Sequence, residues 1–204
     1  MKRKLDEAEK RAPKDYGVLW RLSRWYYWEA DDPKLPEEEK SRLGKIGWDL
    51  GDEATRAKPD GVEGWFYATA GVGNYSLAMG VVTALMKGME GKFVDRLKRA
   101  EQLDPAFDNG AIDLTWGRYY YELPWPKYDG EKSEQWLLKA LAKNPKNVRG
   151  RVYLAELYVK EDHPNHARSQ LEKALAVAPG TYDAPEERRY QARARELLDG
   201  MKKK

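Results

Sequence analysis

The 204-residue chain has no cysteine, which removes disulfides, thiolate metal sites and a cysteine nucleophile from consideration. Histidine is nearly as scarce: His163 and His166 stand alone, with Pro164 between them. A zinc site needs three or four ligands, and no carboxylate set completes a shell around this pair, so a solvated turn between helices is expected instead. Neither sign of charge dominates. Lysine and arginine number 37 against 34 acidic residues, for a net charge of +3, and the two signs are interspersed. That pattern suits solvated helix faces and lacks a nucleic-acid stripe; Lys202, Lys203 and Lys204 read as a frayed basic end, so no nucleic-acid partner is expected. Alternating apolar patterns are missing too, which argues against strands.

Catalytic and cofactor signatures are equally thin. Gly71-Val72-Gly73-Asn74-Tyr75-Ser76 resembles half of a nucleotide-binding loop, but it lacks the third glycine, a preceding strand and a phosphate-binding lysine. Asp104, Asp108 and Gly110 do not reproduce calcium-loop spacing, and the closing glutamate is missing. Glu122 and Glu156 are the candidates for a carboxylate pair, with an ion pair to Arg118 as the favoured reading. The chain is therefore expected to be non-enzymatic, with no cofactor and no metal.

What is abundant is tryptophan and tyrosine, eight and thirteen against three phenylalanines. Both combine large apolar area with a polar tip and suit half-buried or ligand-holding surfaces. Regular spacing is the second positive signal. Prolines at 13, 59, 105, 145 and 179 lie 46, 46, 40 and 34 residues apart. Alanine stands five residues before each, at Ala8, Ala54, Ala100, Ala140 and Ala174. Leucine stands eight before in four cases (Leu5, Leu97, Leu137, Leu171), and Gly51 takes the fifth place. This is one recurring helix end, with proline where the helix can no longer continue.

The stretch from Val148 to about Thr181 matches a 34-residue tetratricopeptide unit: Leu154, Ala155 and Tyr158 on the first helix, Ala167, Leu171 and Ala174 on the second. The same register places Leu22, Ser23 and Tyr26, then Trp65 and Ala68, then Trp116, Gly117 and Tyr120 on earlier first helices. The expected fold is all-α, a tetratricopeptide-like helical repeat solenoid with inserted helices. It is read as one domain over 1–204, with units of about 1–15 (partial), 16–61, 62–107, 108–147 and 148–181, and a capping helix at 184–198. Extra length falls between the helices of a unit. One insertion carries Asp32-Pro33 and Leu35-Pro36 before Glu37, Glu38 and Glu39. A second, near 74–91, is apolar and expected to extend a helix. The third has the turn chemistry of Pro124, Trp125, Pro126 and Asp129-Gly130. Because the first unit holds only a second helix, a longer native N-terminus is expected.

The segments Leu19-Trp20-Arg21-Leu22-Ser23-Arg24, Asp60-Gly61-Val62-Glu63-Gly64-Trp65 and Gly117-Arg118-Tyr119-Tyr120-Tyr121-Glu122-Leu123-Pro124 resemble the TatT-like proteins, the tetratricopeptide-type component associated with TRAP transporters. Regulators of microtubule dynamics share much of this layout. The resemblance covers roughly Tyr16 to Ala178. It implies a periplasmic protein, often lipid-anchored at its N-terminus, working beside a periplasmic substrate-binding or membrane transport protein. Some similar proteins are associated with lipid or sterol transport, which implies an apolar ligand. It implies no catalytic residues.

In such a repeat the first helices line a concave surface. Facing it are Trp20, Arg24, Tyr27 and Trp28 in one unit, then Phe66, Ala70 and Asn74. Leu114, Arg118, Tyr121 and Glu122 follow, then Val152 and Glu156. Gly64 to Met86 runs 23 residues without a formal charge. Its glycines, Asn74, Ser76 and the repeat register argue against a membrane span, and Tyr75, Met79, Val82 and Met86 become pocket candidates. The expected function is binding and transfer of a lipid- or sterol-like molecule in an aromatic groove. The alternative is a scaffold gripping a peptide or helix of a protein partner. A third view is that several groove aromatics merely pack against inserted helices.

Overall fold

The computed structural model describes residues 2–202; Met1 and two residues of the basic tail, Lys203 and Lys204, lie outside the described residues. Among the described residues the chain is all-helical, with eleven α-helices and one short 3-10 turn at Phe107–Asn109. The helices are α1 (Lys2–Arg11), α2 (Tyr16–Ala30), α3 (Glu37–Ala57), α4 (Val62–Ala78), α5 (Val81–Met86), α6 (Met89–Leu103), α7 (Ala111–Glu122), α8 (Gly130–Lys143), α9 (Val148–Lys160), α10 (Pro164–Leu175) and α11 (Ala184–Met201). They fall into two compact units, Met1–Phe107 and Asp108–Lys204.

The Ala–Pro register has a structural cause. In α1, α3, α6 and α8 the proline is the second residue beyond the last helical one. Proline drives the residue before it into extended backbone. Accordingly Lys58, Asp104 and Asn144 all leave the helix there, with ψ of 91°, 95° and 85°. Each of these N–H groups donates back to the alanine of the register: Lys58 to Ala54 O at 2.9 Å, Asp104 to Ala100 O and Asn144 to Ala140 O at 3.0 Å. Those alanines are almost fully buried, so one small side chain ends the helix and packs it at once.

Gly51, which breaks the leucine pattern, reflects a close helix approach in the first unit. A Cβ on Gly51 would lie 2.5 Å from Ala68 Cα, and one on Gly71 would run into the Trp48 backbone. The α3 and α4 backbones thus meet where the other second helices carry leucine. Ser23 Oγ, at the small position of α2, donates to Gly47 O of α3 at 2.7 Å and ties these helices further.

The apolar insertion extends a helix as expected, but only in its first part. It carries α4 on to Ala78, where the chain turns through Gly80 (φ +86°) into α5. It then turns again through Gly88 (φ +69°) into α6. Both angles lie in the region that favours glycine; Gly80 divides the uncharged run into α4 and α5, and Gly88 separates α5 from α6. The capping helix runs to Met201, beyond the expected 198.

In the second unit Ser133 Oγ donates to Gly117 O at 2.9 Å, mirroring the Ser23–Gly47 tie. Two apolar clusters hold it. One centres on Leu114, Leu137, Leu141, Leu154 and Leu157, the other on Val148, Val152, Ala167, Leu171, Ala174 and Tyr190. Gln191 of α11 donates to the carbonyls of Ala174 and Val177 and so satisfies open acceptors at the C-terminal end of α10, where Ala174 is buried. Buried Asp113 is charge-balanced by Lys139 at 2.8 Å and Lys143 at 2.5 Å from α8.

Candidate binding surfaces

In the first unit the first-helix residues of α2 and α4 assemble an aromatic cluster. Trp20 stacks on Tyr67, with ring centroids 5.8 Å apart and planes 7° from parallel. Phe66 meets Tyr67 edge-on at 5.2 Å and Phe107 at 5.0 Å, and Tyr27 tilts against Tyr67 at 6.4 Å. Phe66 and Tyr67 are buried, whereas Trp20 and Tyr27 remain half-buried. Phe66 therefore acts largely as packing, and the accessible aromatic area belongs to Trp20 and Tyr27. Tyr67, the hub, adjoins Phe66 in sequence and was not among the expected groove residues.

The remaining residues expected on this face have separate surroundings. Asn74 Nδ2 donates to Tyr27 O at 3.0 Å and pins α4 to α2. Trp28 tilts against Trp25 at 5.6 Å, and Tyr75 against Trp48 at 6.0 Å. Arg24 is exposed, and Ala70 and Met79 are half-buried. Val82 and Met86 face solvent at 60% and 85% exposure. The first unit also has a cleft of about 300 Å³ beside Trp25, Tyr26, Leu35 and Leu43, with charged residues of α1, α2 and α3 in its lining.

The second unit presents a different surface. Leu114 and Val152 belong to its core. Arg118, however, joins Glu122 of its own helix and Glu156 of α9, each at 2.5 Å. Its guanidinium lies 4.5 Å from the Tyr121 ring centre and 4.4 Å from that of Tyr153. The other Glu156 oxygen accepts from Arg193 Nε of α11 at 3.0 Å. The result is a ladder of alternating charge, Glu122–Arg118–Glu156–Arg193, with Glu156 buried and Arg118 and Glu122 half-buried.

Burial works to discharge Arg118, but Tyr153, Glu122 and Glu156 outweigh it and hold the guanidinium above its usual range. It therefore stays charged at any working pH. Burial likewise raises the Tyr121 phenol. Lys160 donates to Tyr121 O at 3.0 Å and lies 3.7 Å from the Tyr128 ring centre; its own burial lowers its pKa. Tyr128 in turn donates to Glu161.

Glu122 and Glu156 are thus brought together through Arg118, in the ion-pair arrangement favoured from the sequence. Sequence reasoning missed Tyr153, Lys160 and Arg193. Lys160 occupies the same unit position as Glu122, which was a usable signal; Arg193 comes from the capping helix, outside the repeat register. His163 and His166 face one another and Tyr158 across the α9–α10 turn. Among the described residues no group of three or more acidic or histidine side chains is placed to hold a metal ion.

No protein-family model matches the sequence, and no curated protein matches it significantly. Among solved structures, TTC0263, a thermophilic tetratricopeptide-repeat protein of Thermus thermophilus, aligns with a TM-score of 0.70 at 24% identity. That alignment covers 95% of this chain and 87% of the other. Yeast Tom70 aligns with a TM-score of 0.49 at 14% identity, over 96% of this chain and 43% of its own. The Thermus likeness shows that the fold is of the tetratricopeptide type.

Proposed function

We propose that this protein is a non-enzymatic tetratricopeptide-type scaffold that grips a peptide or helical segment of a protein partner on its first-helix faces. The observation that carries this reading is the Glu122–Arg118–Glu156–Arg193 ladder. Its donors and acceptors are held in place by one another and by the Tyr121 and Tyr153 rings, so little side-chain freedom is lost when a partner docks. Arginine and tyrosine in such settings are frequent binding hot spots. A lipid tail gains nothing from a charged ladder, whereas a peptide's amides and side chains can exchange hydrogen bonds with it. The TatT-like resemblance extends the proposal: the partner would be a periplasmic substrate-binding or membrane transport protein, with this chain anchored nearby.

The test is affinity capture before and after delipidation, followed by calorimetry with the recovered partner segment. Binding survives delipidation and weakens about tenfold in Tyr121→Ala and in Lys160→Glu, as expected for hot-spot and charge contacts. A partner lost on delipidation, or one indifferent to both substitutions, overturns the proposal. Half-buried Trp20 and Tyr27 around Tyr67 support a second reading, an apolar ligand on the first unit. Native mass spectrometry of gently purified protein tests it: retained lipid that Trp20→Ala releases sustains the reading, and lipid-free protein ends it.

A further inference from the structure

The helix α5 turns apolar side chains outward in a way that neither the core nor the first-helix faces explain. Val82 is 60% exposed and Met86 85%, and four-residue spacing puts them on one side of the helix. Leu77, just before the turn, is 42% exposed. Ala84, between them, is buried at 3%, so α5 is seated on the protein by its small residue and displays its large ones.

This display is a folded feature. Ala84 N donates to Gly80 O at 3.0 Å and Lys87 N to Thr83 O at 3.1 Å, closing the helix at both ends. Gly80 and Gly88 hold left-handed backbone on either side, and no described atom lies within 4 Å of a Cβ built on either. The glycines thus serve the reversal of the chain and not a close packing contact.

Charge and size indicate the occupant. No acidic residue occurs between Glu63 and Glu90, and exposed Lys87 follows Met86 directly, with exposed Lys92 shortly after. A stable protein interface buries about 800 Å² per partner, more than Val82 and Met86 of a six-residue helix supply together with Leu77 of α4. A bilayer asks for less: a few apolar side chains at the acyl boundary, with lysines reaching the headgroups. Among the described residues no helix is long and apolar enough to cross a membrane.

We propose that α5 is a membrane-docking wedge, inserting Val82 and Met86 into an anionic lipid surface while Lys87 binds the headgroups. Lysine is drawn to anionic leaflets and the attraction weakens with salt. The absence of cysteine allows a single label: Thr83→Cys carrying an environment-sensitive fluorophore. The full-length protein is mixed with vesicles of phosphatidylcholine alone and of phosphatidylcholine with phosphatidylglycerol. The expected result is blue-shifted emission and co-sedimentation with the anionic vesicles. Placing aspartate at both apolar positions (Val82→Asp with Met86→Asp) lowers partitioning about tenfold, since charge is strongly disfavoured in the apolar layer. Both positions are exposed, and an unchanged circular dichroism spectrum confirms the fold. Lys87→Glu weakens binding to the anionic vesicles only. Wild-type protein that ignores both vesicle types overturns the proposal. So does a double-aspartate variant that binds as well as wild type. Self-association abolished by the aspartates, without vesicle binding, would assign the wedge to a second copy of this chain and equally overturn it.

Discussion

The two compact units apply one repeat pattern to different ends. In the first, Trp20 and Phe66, which share a register position, both contact the Tyr67 ring, and Phe107 packs on Phe66. In the second, Leu114 and Val152 at that position join the core. Charge stands four residues on, with Arg118 between Glu122 and Glu156 where the first unit has Arg24 and Ala70. Their helix packing also differs. The α3–α4 pair meets backbone to backbone at Gly51 and Gly71, whereas Gly117 of α7 faces the side chain of Leu137. A tetratricopeptide register therefore specifies where helices end and which face is inward. It leaves open whether the other face is aromatic or ionic, because those positions do not decide helix pairing.

The sharpest way to break this comparison is at the glycines. Gly71→Ala drives a methyl into the Trp48 backbone, which cannot yield locally. It is expected to destabilise the protein by about 3 kcal/mol in urea unfolding, even after the gain in helix propensity. Gly117→Ala meets Cγ of the fully buried Leu137 at 2.6 Å, with the Leu137 backbone N at 3.1 Å. A smaller cost of about 1–2 kcal/mol is expected there, because a side chain can shift where two backbones in contact cannot, and helix propensity offsets part of the crowding. Equal losses at both sites would remove the packing distinction.

Next in size is the ladder. Glu156→Ala leaves the half-buried Arg118 without its α9 carboxylate and also releases Arg193. A loss of about 2 kcal/mol is expected, less than for a fully buried pair. Arg193→Ala touches only the exposed end and should cost under about 1 kcal/mol. A double-mutant cycle over Arg118 and Glu156 measures the coupling directly. Trp20→Ala, with no ion pair involved, should leave that coupling energy unchanged.

The smallest effect is alkaline. Burial, followed by donation to a glutamate, raises the phenols of Tyr16 (to Glu63), Tyr128 (to Glu161) and Tyr158 (to Glu134). A tyrosine held protonated when folded ionises first in the unfolded chain, so stability is intact below about pH 10 and falls as pH rises above it. Two of the three belong to the second unit. Tyr158→Phe should therefore flatten part of the decline in denaturant midpoint between about pH 9 and pH 11. Tyr16→Phe removes the first unit's only share among these three. An identical slope in wild type and Tyr158→Phe would rule out the Glu134 hydrogen bond as a cause.

Much of the fold was legible because its signals are local. Proline two residues past a helix and alanine five before it describe one cap, and a cap needs only neighbouring residues. The Asp15, Asp129 and Asn147 side chains likewise begin their helices by accepting from residues three ahead. The candidate surfaces were legible in part. Arg118 and Glu156 come from matching register positions on neighbouring first helices and could be paired on paper. Phe66 occupies an equally good groove position, yet Tyr67 and Phe107 close over it. The insertion at 74–91 read as the extension of a helix, which holds to Ala78; where the extension stops was not legible, because composition is blind to the backbone angles at Gly80 and Gly88.

By itself, then, the sequence determined an all-helical tetratricopeptide repeat, its helix ends and its inward alanines and leucines, since periodicity and capping depend on residues a few positions apart. Only the tertiary structure decided which groove aromatics stay accessible, that Arg193 completes the ladder, and that Val82 and Met86 turn toward solvent. Those outcomes depend on side chains tens of residues apart and on which surface a neighbouring helix happens to cover.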